Sequence, residues 1–218
     1  MVDEGMRLGT GFVKYILSIS VILSALVASP AIAKQKILVF GDSLSAAYGL
    51  DEKSGWVHLL QKRLTAIDPD YKVINASISG ETTSGGANKI KQTLELYQPD
   101  IIIIELGGND GLQGLNLEIM RKNLTKIIEE AKQSQAKALL VGMKIPPNYG
   151  IKYTKDFHET FKALSQQFHT SFVPFLLEGI GGNPELMQQD GIHANASAQE
   201  MILENVWPGL EPLLIKKN

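Results

Sequence analysis

The stretch IIIIELGGND, residues 101–110, decides the fold of this chain. Its first four residues form an unbroken apolar run, which is typical of a strand that is buried on both faces. Similar runs occur at residues 37–40, 73–74 and 138–141. Strands of this kind predict a parallel sheet that is covered by helices on each side.

Between these runs, apolar residues recur at the spacing of an α-helix, which places them on one face. The four sets are Trp56, Leu60, Leu64 and Ile67; Ala87, Ile90, Leu94 and Tyr97; Leu117, Met120, Leu124, Ile127 and Ala131; and Phe157, Phe161, Leu164 and Phe168. A fifth strand is predicted near residues 171–173, and a last helix over residues 198–206 that is ended by Pro208. The alternation of strands and helices predicts one doubly wound α/β domain over residues 34–218.

The composition is that of an ordinary globular protein. The 218 residues are 44% hydrophobic and 20% charged, and the net charge of −2 provides no excess of cations for a nucleic-acid surface. The sequence contains no cysteine, which excludes disulfides, thiolate metal sites, a cysteine nucleophile and a lipid anchor on cysteine.

A secretory signal peptide is predicted over residues 1–33. Two cations, Arg7 and Lys14, precede the uncharged residues 15–33, and the small-x-small pattern AIA ends this stretch. Cleavage there predicts a bacterial periplasmic or secreted protein without a stable membrane anchor. A retained signal anchor is the alternative, because the 19 uncharged residues fall within the roughly 17–25 that span a bilayer.

The loops that follow the strands are the candidates for chemistry, because ligands bind beyond the carboxyl ends of such strands. Residues 41–44, GDSL, place Ser43 after the first strand at the start of a helix, where it is either a nucleophile or a helix cap. Gly80 follows the second strand and either leaves its N–H free for a ligand or forms an ordinary turn. Asn109 follows the third strand and either offers a side-chain N–H donor or caps a helix.

Near the C-terminus, residues 190–193, DGIH, place an acid and a histidine three positions apart. Asp190 can accept the Nδ1–H of His193, which leaves Nε2 to take a proton from a serine. The other three histidines lie inside helical patterns and are assigned no role: His58, His158 and His169. A nucleophile, oxyanion donors, a base and its orienting acid at one edge of one sheet predict a serine hydrolase.

These four segments resemble the four sequence blocks of the SGNH (GDSL) hydrolase family, in order and over essentially the whole chain after residue 33. The resemblance implies a flavodoxin-like three-layer α/β/α sandwich with a five-stranded parallel sheet, and a triad that needs no metal or cofactor. It implies that Ser43 is the nucleophile, His193 the base and Asp190 its partner. The N–H groups of Ser43 and Gly80 and the amide of Asn109 would then form the oxyanion hole.

Two further segments, residues 145–150 (IPPNYG) and 183–188 (NPELMQ), are similar to a subgroup of bacterial periplasmic thioesterases, lysophospholipases and arylesterases. This similarity implies a serine esterase that hydrolyses ester and thioester bonds of acyl substrates through an acyl-enzyme. One departure is Ala194, where the family usually has a proline after the histidine. The departure removes a backbone constraint from the loop of the base but no catalytic group.

Acyl-chain selectivity is expected from two loops, residues 110–116 and 144–153. The residues expected to contact substrate or line an apolar channel, or else merely to cover the edge of the sheet, are Asp110, Leu112, Leu115, Ile145, Pro146, Pro147 and Tyr149. The expected partner is a small-molecule or lipid acyl ester, and the expected state is a monomer. The alternatives are an O-acetyl esterase that acts on carbohydrate or cell-wall polymer with the same triad, and a non-catalytic binding module.

Overall fold

The computed structural model describes residues 1–2 and 35–214. Residues 3–33 of the predicted signal peptide and its cleavage site lie outside the described residues, so that prediction stays a prediction. Within the described ranges, no helix has the length and apolar character needed to cross a membrane.

Strands and helices alternate along the described chain, as the apolar runs predict. The strands are β1 (Lys36–Gly41), β2 (Lys72–Asn75), β3 (Ile101–Glu105), β4 (Lys137–Val141) and β5 (Ser171–Val173). The helices are α1 (Trp56–Ile67), α2 (Thr83–Tyr97), α3 (Gly108–Leu112), α4 (Leu117–Gln133), α5 (Ile151–Phe168) and α6 (Gln199–Leu210). The five-residue α3 is an addition that the helical periodicity does not predict.

The five strands form one parallel sheet in the order β2-β1-β3-β4-β5, which confirms the predicted fold class. The side chains of residues 101–104 in the central strand β3 are fully buried. The edge strand β2 differs, since Val73 and Ile74 are only half-buried. The strand order reverses between β1 and β3, and the loops that leave their carboxyl ends diverge to open a crevice.

The helices cover the sheet in two groups. Helix α1 packs against α6, while α2 packs against α4 and α4 against α5. This arrangement is the three-layer sandwich that the sequence resemblance implies.

The last helix differs from its prediction. Helix α6 continues through Pro208 to Leu210 instead of ending before the proline. Pro208 lies in the last turn, where it removes only one backbone donor. The turn is held from outside, because the Ser171 hydroxyl donates to the Gly209 carbonyl at 2.5 Å and Gly209 packs closely on the β4 side chain of Leu139.

Matched isoleucine substitutions test which apolar residues hold the sheet and helices together. Ile103 is fully buried in β3, whereas Ile67, predicted on the buried face of α1, is 59% exposed at the end of that helix. Ile103→Ala should lower the free energy of unfolding by about 2–5 kcal/mol because it leaves a cavity. Ile67→Ala should change it by less than about 0.5 kcal/mol. Urea unfolding of both variants checks this, and equal losses would contradict the assigned core.

Candidate active site

Ser43 lies two residues beyond β1, in a series of turns rather than at the start of a helix. The Ala46 N–H donates to the Asp42 carbonyl at 3.0 Å, and the Tyr48 N–H donates to the Ser43 carbonyl at 3.2 Å. Ala47 has a φ of 57°, in the left-handed region, and cannot continue a right-handed helix. The predicted helix start at Ser43 is therefore wrong.

The structure brings Ser43, His193 and Asp190 into one chain of hydrogen bonds. His193 Nε2 lies 2.8 Å from Ser43 Oγ, and His193 Nδ1 lies 2.7 Å from Asp190 Oδ2. A bond from Nδ1 to a carboxylate fixes the tautomer with its proton on Nδ1. The lone pair of Nε2 therefore faces the serine hydroxyl.

The Asp190 carboxylate is stabilised by the backbone of its own loop. Its Oδ1 accepts the N–H groups of Ile192 at 2.9 Å and His193 at 3.0 Å. The backbone N–H and the side chain of His193 are the main causes that lower the pKa of Asp190 to about 2. The acid therefore stays ionised throughout the range in which a histidine titrates.

Backbone hydrogen bonds hold the His193 loop despite the absence of a proline at residue 194. The Gln188 N–H donates to the His193 carbonyl at 2.7 Å, and the Asn195 N–H donates to the Leu186 carbonyl at 2.8 Å. Gly191 turns the chain between them with a φ of 65°. The loop is thus a tight, paired turn.

Three N–H donors lie on the same cavity as Ser43 Oγ. Among the described residues, the N–H groups of Ser43 and Gly80 donate to no partner and are free for a ligand. Gly80 has a φ of 79°, which favours glycine. Asn109, in the first turn of α3, donates from Nδ2 to Asp42 Oδ2 at 3.1 Å and to the Glu81 carbonyl at 3.0 Å. Such a set can stabilise a developing oxyanion.

A pair of buried carboxyl groups lies behind the serine turn. The Asp42 N–H donates to Glu105 Oε2 at 3.3 Å, and the Ser45 hydroxyl donates to the same oxygen at 2.6 Å. Glu105 Oε1 has no partner among the described residues. Burial raises the pKa of Asp42 to about 6, and burial together with the Asp42 charge raises the pKa of Glu105 well above its usual range. Sequence reasoning missed Glu105, although a lone charge in the run IIIIEL was the signal.

An apolar cavity of about 590 Å³ opens beside Ser43 and His193. It is lined by four of the residues predicted to form a channel: Leu112, Ile145, Pro146 and Pro147. It is also lined by aliphatic or aromatic residues that the sequence analysis did not place there, among them Leu44, Met143, Phe175, Leu177, Met187 and Ile192. Phe175 and Leu177 follow β5, so their position after a strand at the same edge was the available signal.

Three of the predicted contact residues do not line this cavity: Asp110, Leu115 and Tyr149. Asp110 is 2% exposed. Thr83 donates twice to its carboxylate, from the backbone N–H at 2.8 Å and from the side-chain hydroxyl at 2.6 Å. The Tyr149 hydroxyl donates to the Leu112 carbonyl at 2.7 Å. Asp110 thus ties α3 to α2, and Tyr149 ties the two predicted specificity loops to each other.

Comparison with known proteins gives consistent results. Residues 39–201 match the GDSL-like Lipase/Acylhydrolase family. Esterase TesA of Pseudomonas aeruginosa is 50% identical over 182 residues, 84% of this chain and 90% of that protein. Thioesterase 1/protease 1/lysophospholipase L1 of Escherichia coli K12 is 35% identical over 184 residues, 84% of this chain and 87% of that protein. The crystal structure of TesA superimposes with a TM-score of 0.81 at 49% identity, covering 83% of this chain and 100% of that one.

The chain therefore belongs to the GDSL-like lipase/acylhydrolase family, as the four sequence blocks predict. It is an enzyme, a hydrolase that acts on ester bonds.

The buried Glu105 carboxyl predicts a specific pH dependence of stability. Its folded pKa lies above the ordinary value of 4.5, so the folded protein keeps a proton that the unfolded chain loses. The stability that this group contributes is present below about pH 4.5 and is lost as the pH rises. Glu105→Gln cannot titrate, so its stability relative to wild type should rise from pH 5 to pH 8, by up to about 1.4 kcal/mol per pH unit.

Urea unfolding at pH 5, 6.5 and 8 measures this effect. Glu204→Gln is the matched control, because Arg63 lowers the pKa of the exposed Glu204 and that carboxylate is ionised over the whole range. Its difference from wild type should stay constant with pH. Parallel curves for Glu105→Gln and wild type would contradict the raised pKa of Glu105.

Proposed function

We propose that this enzyme is a serine esterase that hydrolyses carboxylic ester and thioester bonds of acyl substrates through Ser43, His193 and Asp190. The observation that carries the proposal is the hydrogen-bond chain from Ser43 Oγ through His193 to Asp190, at 2.8 and 2.7 Å, beside an apolar cavity. The cavity suits an acyl chain, and the triad suits nucleophilic attack on its carbonyl carbon.

In the first half of the reaction, Ser43 Oγ attacks the carbonyl carbon while its proton moves to His193 Nε2. The carbonyl oxygen becomes an oxyanion that accepts the N–H groups of Ser43 and Gly80. Asn109 Nδ2 becomes the third donor when its bond to the neutral Glu81 carbonyl gives way to the charged oxyanion, which is the stronger acceptor. His193 then protonates the departing alcohol or thiol, and the acyl group remains on Ser43.

In the second half, His193 takes a proton from water, whose oxygen attacks the acyl carbon. The carbon–Oγ bond breaks, Ser43 regains its proton from His193, and the free acid leaves. The ionised Asp190 stabilises the imidazolium that forms in each half.

The cavity favours acyl chains over sugar acetates. The wall of the cavity is mainly apolar. Lys144 also lines it, but its ammonium group donates to Glu178 Oε2 at 3.0 Å and is thus already engaged by a protein carboxylate. The names of the relatives cover esters, thioesters and lysophospholipids, and we include these substrate classes in the proposal. We also propose that the chain is exported and cleaved after Ala33, on the strength of its N-terminal sequence.

Substitution of the nucleophile tests the proposed mechanism. Ser43→Ala should lower kcat for p-nitrophenyl esters by about 10⁴-fold or more, since no acyl-enzyme can form. Asn109→Ala should lower it by about 10²–10³-fold, because one oxyanion donor is lost. Circular dichroism and thermal unfolding of each variant control for folding. Substantial activity in a folded Ser43→Ala protein would rule out Ser43 as the nucleophile.

A chain-length series tests the proposed substrate class. Activity on p-nitrophenyl esters from C2 to C16 should peak at medium or long chains. Leu112→Asn, which puts an amide on the cavity wall, should lower kcat/KM about tenfold for the preferred chain and much less for the acetate. Leu115→Asn is the matched control, because Leu115 belongs to the same loop and does not line the cavity.

The two leucine variants also separate the alternatives. Serine-dependent activity confined to the acetate, with equal effects of both substitutions, would favour an O-acetyl esterase. No activity on any chain length from a folded protein would contradict the proposed substrate class.

A further inference from the structure

The side chain of Gln188 joins the two segments that carry the serine and the histidine. Gln188 Nε2 donates to the Tyr48 carbonyl at 2.8 Å, in the turns that begin at Ser43. The same nitrogen donates to the Ala194 carbonyl at 3.1 Å, next to His193. Both amide hydrogens are therefore used, one on each segment.

The backbone beside Tyr48 is shaped to admit this amide. A Cβ atom on Gly49 would lie 2.4 Å from Gln188 Oε1, closer than any real contact. Gly49 also has a φ of 74°, in the left-handed region. Gly49, which has no side chain, thus lies where the Gln188 amide approaches the backbone.

One further contact crosses the same junction, and another lies within the histidine loop itself. The ring centroids of Tyr48 and His193 lie 4.6 Å apart, and the Gln188 N–H donates to the His193 carbonyl at 2.7 Å. The Gln188 backbone therefore holds the backbone of His193, and the Gln188 side chain holds the backbone of Tyr48, whose ring packs against the imidazole. Gln188 itself does not line the substrate cavity.

We propose that Gln188 is a positioning residue, which keeps His193 Nε2 at the distance from Ser43 Oγ that proton transfer requires. The proposal rests on the proposed triad. Ser43 and His193 are 150 residues apart in sequence, so their separation depends on contacts between their segments. Loss of the tie lets the histidine loop move away from the serine, and misplacement on the order of 1 Å costs about 10²-fold at most. Because Gln188 does not face substrate, the loss falls on kcat and not on KM.

A second glutamine, Gln199 at the start of α6, contacts the same loop and provides a matched control. Gln199 Nε2 also donates to the Ala194 carbonyl, at 3.4 Å. Gln199 Oε1, however, accepts the backbone N–H of Trp56, the first residue of α1. Gln199 thus ties the loop to the body of the fold without contacting the Ser43 turns through these bonds. A merely structural role predicts similar kinetic consequences for both glutamines.

The experiment compares Gln188→Met with Gln199→Met in the same p-nitrophenyl ester assay, below the unfolding temperature of both. Methionine keeps the length of the side chain and removes both donors. Gln188→Met should lower kcat about tenfold and leave KM within about twofold. It should also slow the phosphonylation of Ser43 by a fluorophosphonate about tenfold. Gln199→Met should lower Tm and leave kcat within about twofold.

A glycine pair tests the tie without changing Gln188, and it applies even if Gln188→Met does not fold. Gly49→Ala drives a methyl group into the Gln188 amide, whereas Gly179 has the same φ of 74° and room for a methyl group, with Met201 Cε at 3.7 Å. Both substitutions carry the same backbone strain. Only Gly49→Ala should lower kcat, by about the same factor as Gln188→Met.

The outcomes distinguish this inference from the proposed function. The positioning role would be overturned by an unchanged kcat in Gln188→Met, by an effect confined to KM, or by equal losses in both members of either pair. In each of these cases an inactive Ser43→Ala enzyme would still support the triad. Full activity of Ser43→Ala, assayed in parallel, would overturn both.

Discussion

A hydrogen bond of 2.8 Å between Ser43 Oγ and His193 Nε2 joins two segments that are 150 residues apart in sequence. The proposed chemistry depends on that separation, because proton transfer needs heavy atoms at hydrogen-bond distance. The parallel sheet brings the two segments to the same edge, since every strand ends there. The hydrogen bonds of the turn around His193 and of the Gln188 amide then set the final distance between Ser43 Oγ and His193 Nε2.

Two kinds of acid surround this bond, and their environments give them opposite behaviour. Asp190 lies near solvent and accepts three hydrogen bonds from its own loop, which lower its pKa to about 2. Asp42 and Glu105 lie buried behind the serine, where desolvation raises the pKa of each. The different environments keep a fixed negative charge on Asp190 and favour the neutral form of the buried Glu105.

Much of the fold was predictable because residues 101–104 and the other apolar runs carry a local signal of double-sided burial. The residues of the proposed triad and oxyanion hole could be named as candidates from the sequence because each follows a strand or precedes the last helix. The exceptions arise from tertiary packing. Pro208 stays helical because the sheet holds its turn, and Asp110 turns away to bind Thr83. The tie made by Gln188 depends on a contact between residues 140 positions apart, which no local pattern records.

The proposed mechanism requires Ser43 to be the nucleophile that His193 activates. Its most direct test is covalent labelling of the wild-type enzyme with a fluorophosphonate, followed by intact mass measurement and peptide mapping. One phosphonyl group per molecule is expected, on Ser43, with activity lost in proportion to labelling. Loss of activity with the label on another residue, or full labelling of Ser43 without loss of activity, would contradict this mechanism.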